Sequence, residues 1–264
     1  MPTTYTHDLF GKQVYRQLPD EMKAVIRKNG NLYRIGLHGP DLLFYHLFNG
    51  KVNKTGVAMH GRKGRAFFDE GMAKVREDRD EALLAYLLGF GCHYLLDSCC
   101  HPYVYRMVEE GVISHTNLEK EYDRYLLKLN GRDPNHYYPL ESIPVRERYA
   151  RTIHKAIPVI PEHLILTAWR IMRIATRLFV SDDGGFRKKA GIKITRALRL
   201  KSAEELMEHF MGYEELPGSE EAIQGLHEKY LEAVKEAPKE LEELYALSKE
   251  DLPLSERWDR TYNG

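Results

Sequence analysis

Cysteine is scarce in this chain: Cys92, Cys99 and Cys100 are the only three. An odd, clustered set is a poor disulfide framework, so the three read as reduced, small hydrophobes packed in a core. An excess of charge of either sign is also missing, since 39 Lys and Arg balance 39 Asp and Glu. Overall charge therefore gives no ground for nucleic-acid or membrane affinity, and such a reading would need a local patch. The opening MPTTYTHDLFGKQ lacks the charged start and the roughly 7–15 apolar residues of a secretion signal, and no run of about 18 apolar residues follows. These absences predict a soluble, cytoplasmic protein without a transmembrane segment. Sustained alternation of apolar and polar residues, which a half-buried strand requires, is absent too.

What remains is helical. With 264 residues, 43% of them hydrophobic, the chain can bury the core of one large domain. Helix formers with apolar positions at a period near 3.6 predict helices over 8–28, 63–76, 80–98, 116–129, 146–157, 160–180, 187–198, 202–211, 219–235 and 238–248. Turn clusters NGN (29–31), HGPD (38–41), NGRDPN (130–135), SDDGG (181–185) and LPGS (216–219) separate them. The expectation is a single all-α domain over 1–264. Residues 1–130 carry the motifs, and 131–264 is helical without any.

The stretch 91–123, GCHYLLDSCCHPYVYRMVEEGVISHTNLEKEYD, sets His93, Asp97, His101, His115 and Glu119 at intervals of four, four, fourteen and four. On a helix His93 and Asp97 share a face one turn apart and can hold one ion, whereas His101 lies about 12 Å along the axis from His93. Asp97, with two oxygens midway, is placed to bridge neighbouring ions. Pro102 biases His101 away from helical geometry and predicts a helix end or kink there. His115 and Glu119 repeat the one-turn pairing, with Asp123 a turn further on to hold a ligand from behind. Twelve histidines and 39 acids among 264 residues give about two His-x-x-x-acid pairs by chance, the number the chain holds. The signal is instead the crowding of both pairs and a His-Pro into 27 residues. By spacing alone these histidines serve equally well as metal ligands or as core histidines bonded to carboxylates. His7 in YTHDLFG, Asp41 in the turn of GLHGPDLLFYH and His60 in GVAMHGRKGRAFF are further candidates in the same half.

Taken in order, THDLFG, GPDLLFY, MHGRKGRAFF, CHYLLDSCCHPYVY and SHTNLEKEYD resemble the zinc-dependent phospholipase C family, related in fold to the single-strand-specific zinc nucleases. The resemblance covers roughly residues 1–130. It implies an all-helical fold with two or three zinc ions in a cleft, hydrolysing a phosphoester bond with a zinc-activated water. The residues it implies are Asp41, His60, His93 and Asp97 for one ion, and His101, His115 and Glu119 for a second. His7 with the bridging Asp97 would take a third, and Asp41 doubles as general base. His46 is the rival to His60. Secreted members complete the third zinc with an exposed amino-terminal tryptophan; this chain begins Met1-Pro2, and loss of Met1 would expose the Pro2 secondary amine as the counterpart.

The substrate is less defined. Phe44, Tyr45, Phe67, Phe68, Tyr103 and Tyr105 are aromatic candidates for stacking on a base or caging a quaternary ammonium, or simply for the core. Residues 169–201 carry ten Lys or Arg against two Asp, with Arg170, Arg173 and Arg177 on one helix side. That patch suits a solvated face or a partner for the Glu-rich segment 203–256, ahead of anionic lipid or nucleic acid. The expected activity is a phospholipase C-like phosphodiesterase acting on a phospholipid or a soluble phosphodiester. A zinc nuclease or nucleotidase and a non-catalytic, metal-stabilised scaffold are the alternatives.

Overall fold

From Thr4 onward the chain is helical through most of its described length. A computed structural model describes residues 4–46, 49–178, 186, 189–190, 193, 211 and 214–264. In order the helices are α1 (Thr4–Gln17), α2 (Asp20–Lys28), α3 (Gly30–Gly36), a 3-10 turn (Gly39–Tyr45), α4 (Gly50–His60), α5 (Gly64–Asp78), α6 (Glu81–Glu109), α7 (His115–Leu129), α8 (Glu147–Ala156), α9 (Glu162–Leu178) and α10 (Glu220–Leu247). A short 3-10 turn at Glu256–Asp259 follows. Among the described residues there is no strand, only one isolated bridge between Lys63 and Thr261. The fold is the all-α type expected.

The axis is α6, which begins where the Asp80 carboxylate accepts from the amides of Ala82 and Leu83, both at 3.0 Å. Its apolar residues cover every face, the composition of a helix surrounded by others. By length and hydropathy it is the one described helix able to cross a membrane, yet 94% of its apolar window is buried inside the fold. Helices α3 and α10 pack along it most extensively, with α1, α5, α7 and α8 around them. Contact with α3 is backbone to backbone. A β-carbon at Gly36 would stand 2.2 Å from the Tyr86 carbonyl oxygen, and one at Gly89 2.0 Å from that of Tyr33. This close approach drops the following 3-10 turn, with Asp41, directly over the next turn of α6, where His93 lies.

Several boundaries differ from the pattern-based expectation. The segment 8–28 is two helices, because Pro19 adopts an extended ψ of 152° and α2 starts after it. Residues 29–62, read as turns and loop, form α3, the 3-10 turn and α4. Pro102 does not end α6, which runs on to Glu109 with the proline inside. Likewise 219–235 and 238–248 are one helix with Pro238 inside it. Tertiary packing holds both helices where the missing N–H would break an isolated one. Most residues of the helices expected over 187–198 and 202–211 lie outside the described ones.

Candidate metal centre

Five elements supply the polar side chains that meet beside α6. His93, Asp97 and His101 lie on successive turns of that helix, so all three face the same side. His7 comes from α1, Asp41 from the 3-10 turn, His60 from the last residue of α4, and His115 and Glu119 from the first turns of α7. Local chemistry sets each in place. Gly39 takes φ +46°, and a β-carbon there would lie 2.3 Å from the His93 ring, so glycine lets the turn carrying Asp41 close onto α6. Ser114 caps α7 by accepting from the Asn117 amide at 3.4 Å. Asp123, expected behind a metal ligand, instead grips the start of α1: it accepts from the amides of Tyr5 and Thr6 at 3.3 and 2.9 Å and from the Thr6 hydroxyl. Burial pushes its carboxyl up to about 7 against the pull of those bonds.

All eight residues singled out in the sequence converge. Asp97 stands in the middle. Its Oδ2 lies 3.0 Å from His93 Nε2 and 3.8 Å from His60 Nε2, while its Oδ1 lies 3.3 Å from His7 Nε2 and 3.9 Å from His101 Nε2. Asp41 Oδ1 is 3.1 Å from His60 Nε2 and 3.9 Å from His93 Nε2. Glu119 Oε1 is 2.9 Å from His115 Nε2 and 3.5 Å from His101 Nε2. Three sets have donor atoms within 4.8 Å of one another: Asp41 with His60 and His93, His7 with His93 and Asp97, and His101 with His115 and Glu119. His46 belongs to none of them, so the geometry favours its rival His60. The Pro2 amine lies outside the described residues.

The protonation pattern tells what such a cluster needs. His60 Nδ1 lies 2.9 Å from the Gly56 carbonyl oxygen, His93 Nδ1 3.2 Å from that of Leu37, and His101 Nδ1 2.9 Å from that of Tyr262. A carbonyl only accepts, so each Nδ1 carries a proton and each ring turns its Nε2 edge inward, a lone pair for a metal ion whenever that nitrogen is unprotonated. Those edges face carboxylate oxygens. His60 Nε2, His93 Nε2 and Asp97 Oδ2 have no hydrogen-bond partner although all are buried. Imidazole and carboxylate atoms set 3–4 Å apart in an enclosed site could hold cations between them. Burial pushes the Asp97 carboxyl up, but His93, His101 and His7 outweigh it and hold it well below the usual carboxylate range.

Other sequence candidates divide clearly. Phe44 stacks on His60 with ring centroids 5.3 Å apart, and Tyr105 lies 5.7 Å from His101 and 5.4 Å from His115. Tyr45, Phe67, Phe68 and Tyr103 belong to the core or its margin. The three cysteines are free and none joins a ligand set, in keeping with a packing role. Arg170, Arg173 and Arg177 pair with no described acidic residue; most of the basic stretch after them lies outside the described residues. The residue that pattern reading missed is Tyr262, whose ring lies 5.3 Å from His60 and 6.0 Å from His93.

Comparison with models of protein families gives a match to the one described as zinc dependent phospholipase C, over residues 6–170. No curated protein and no solved structure matches the chain.

Proposed function

We propose that this chain, which belongs to the zinc-dependent phospholipase C family, is a phosphodiesterase that holds two or three zinc ions in the cluster and hydrolyses a phospholipid or a soluble phosphodiester. The observation that supports it most is the convergence of buried imidazole Nε2 atoms and carboxylate oxygens into three sets of donor atoms within 4.8 Å of one another, several of them without a hydrogen-bond partner. The donor set fits zinc in its catalytic form, with imidazole and carboxylate mixed and no closed cysteine shell.

Asp41, His60, His93 and Asp97 would hold one ion, His101, His115 and Glu119 a second, and His7 with Asp97 a third. When bound, zinc supplies positive charge that acidifies water and offsets the charge growing on the phosphoryl oxygens and the leaving alkoxide. The chain's own part is positioning. Carbonyls of Gly56, Leu37 and Tyr262 fix the imidazole tautomers, and the Asp41 carboxylate orients the attacking water and takes its proton. His115, with 29% of its side chain exposed, marks the side open to water and substrate.

The test is elemental analysis of the purified protein, paired with hydrolysis of a phosphatidylcholine, single-stranded DNA and a nucleoside monophosphate before and after chelation. Two or more zinc ions per chain and chelator-sensitive phosphatidylcholine cleavage are expected. Cleavage of the nucleic substrates instead would assign the nuclease reading. Zinc without turnover on any of them would leave a scaffold in which metal staples helices.

A further inference from the structure

The segment Leu254–Gly264 lies far outside the family-matched region, yet it reaches the centre of the cluster. We propose that it is a working part of the metal centre. By this reading it sets the registry between the inner and outer ligand sets through the main chain of Tyr262, and its seating is coupled to zinc binding. The inference rests on the metal-binding reading of the previous subsection but adds a component to it.

One residue carries the link. The Tyr262 amide donates to the His60 carbonyl at 3.2 Å, and the Tyr262 carbonyl accepts from His101 Nδ1 at 2.9 Å. His60 belongs to the inner set with Asp41 and His93, and His101 to the outer set with His115 and Glu119. Two main-chain hydrogen bonds therefore tie the sets together, and the second fixes the His101 ring with its Nε2 edge inward. The Tyr262 side chain is buried over the inner imidazoles, and its hydroxyl has no hydrogen-bond partner there.

The rest of the segment serves to hold this residue still. Arg65 forks onto Asp259 at 2.9 and 2.6 Å and also donates to the carbonyls of Leu254 and Ser255 at 2.7 and 3.0 Å. The Tyr94 hydroxyl, one residue from His93, lies 3.0 and 2.9 Å from the carbonyls of Arg257 and Arg260. Trp258 is fully buried, stacked on Tyr94 at 5.2 Å, and donates from Nε1 to Glu243 at 3.0 Å. Beyond Tyr262, Asn263 accepts from the Tyr105 hydroxyl at 3.0 Å, and Gly264, with φ +103°, sits where a β-carbon would meet the Pro102 ring at 2.4 Å. These anchors converge on Tyr262, whose peptide group bonds to both sets.

Coupling is reciprocal, so it can be measured from either side. Zinc affinity, by competition with a chromophoric chelator, is compared between the wild type and the Arg65→Gln/Tyr94→Phe double variant, which loosens the segment without touching a ligand. Amide exchange at Tyr262 is followed in wild-type protein with and without zinc. We expect zinc affinity to fall about tenfold in the variant, the scale seen when groups that orient ligands are removed, and zinc to slow exchange at Tyr262 by a similar factor while amides in α2 are unmoved. Zinc binding with unchanged exchange at Tyr262 overturns the coupling, and so does a folded double variant of full affinity. If the variant fails to fold, the wild-type exchange comparison decides alone. Absence of zinc binding by wild-type protein overturns the metal reading and this proposal with it.

Discussion

At the inner end of the cluster the His93 side chain is wholly buried, and His93 and His60 are each pinned through Nδ1 to a carbonyl, of Leu37 and of Gly56. At the outer end His115 keeps 29% of its side chain exposed and meets Glu119 at 2.9 Å from the opening turn of its own helix. The same residue types thus stand in two environments. The inner candidates are held in place, so their order would be set before any ion bound, and their charges act in a medium that screens little. Among the outer candidates only His115 sits at a helix start beside solvent, where a group can exchange partners, whereas His101 and Glu119 are buried. Asp97 faces both ends, one oxygen toward His93 and His60 and the other toward His7 and His101. Under the proposed function, the difference corresponds to a division of labour: a rigid inner floor and an outer side open at His115.

The largest expected effect comes from removing the residue common to both ends. Asp97→Ala should abolish zinc retention throughout the cluster and reduce phosphodiester hydrolysis to background, read by elemental analysis and turnover on the same sample. Full activity in metal-depleted Asp97→Ala protein would end the enzymatic account. A sharper contrast follows from single imidazoles. His93 belongs to two of the three ligand sets and His115 to one. His93→Ala should therefore cost at least two ions per chain, and His115→Ala only one. Equal stoichiometry in the two variants would erase the distinction between the ends.

The outer end was the more legible in sequence. His115 and Glu119 advertise themselves at one-turn spacing, as do His93, Asp97 and His101, because helical period alone places residues four apart on one face. The α6 register held even through Pro102, where local rules predict an end, since surrounding helices keep that turn in place. The inner end depends on short elements that periodicity cannot see. Helix α3 and the 3-10 turn have seven residues each and α4 eleven, and glycines at 30, 36, 39, 50 and 56 punctuate them. Asp41 in its turn and His60 between glycines were only isolated candidates by pattern, and resemblance to a family grouped them with His93 and Asp97. Tyr262 was out of reach altogether: it acts through its peptide group, which every residue has, across 161 positions from His101.

Gly39→Ala attacks the inner end through the backbone. The substitution combines a φ of +46° with a β-carbon 2.3 Å from the His93 ring, a fixed imidazole rather than a flexible tail. We expect a loss of about 1–3 kcal/mol from the backbone strain, seen as a Tm drop of several degrees, and release of the ion held by Asp41, His60 and His93 before any other. A variant with unchanged Tm would show that the turn is free to move away and that the inner floor is less rigid than its burial suggests.

The smallest effect is expected at the outer end. Ser114→Ala removes the cap of α7, whose first residue is His115. The hydrogen bond to the Asn117 amide is long, at 3.4 Å, so the cost should fall at the low end of the usual range, about 0.5 kcal/mol. A change of that size shifts Tm by only about 1–2 °C. Its chemical consequence is more selective, because fraying the opening turn swings His115 out of line with Glu119 while leaving α6 and the 3-10 turn untouched. Zinc titration of the variant should show one ion bound more weakly and the rest as in the wild type. Uniform weakening of every ion would mean that the two ends form a single cooperative unit and that the contrast in their burial has no energetic counterpart.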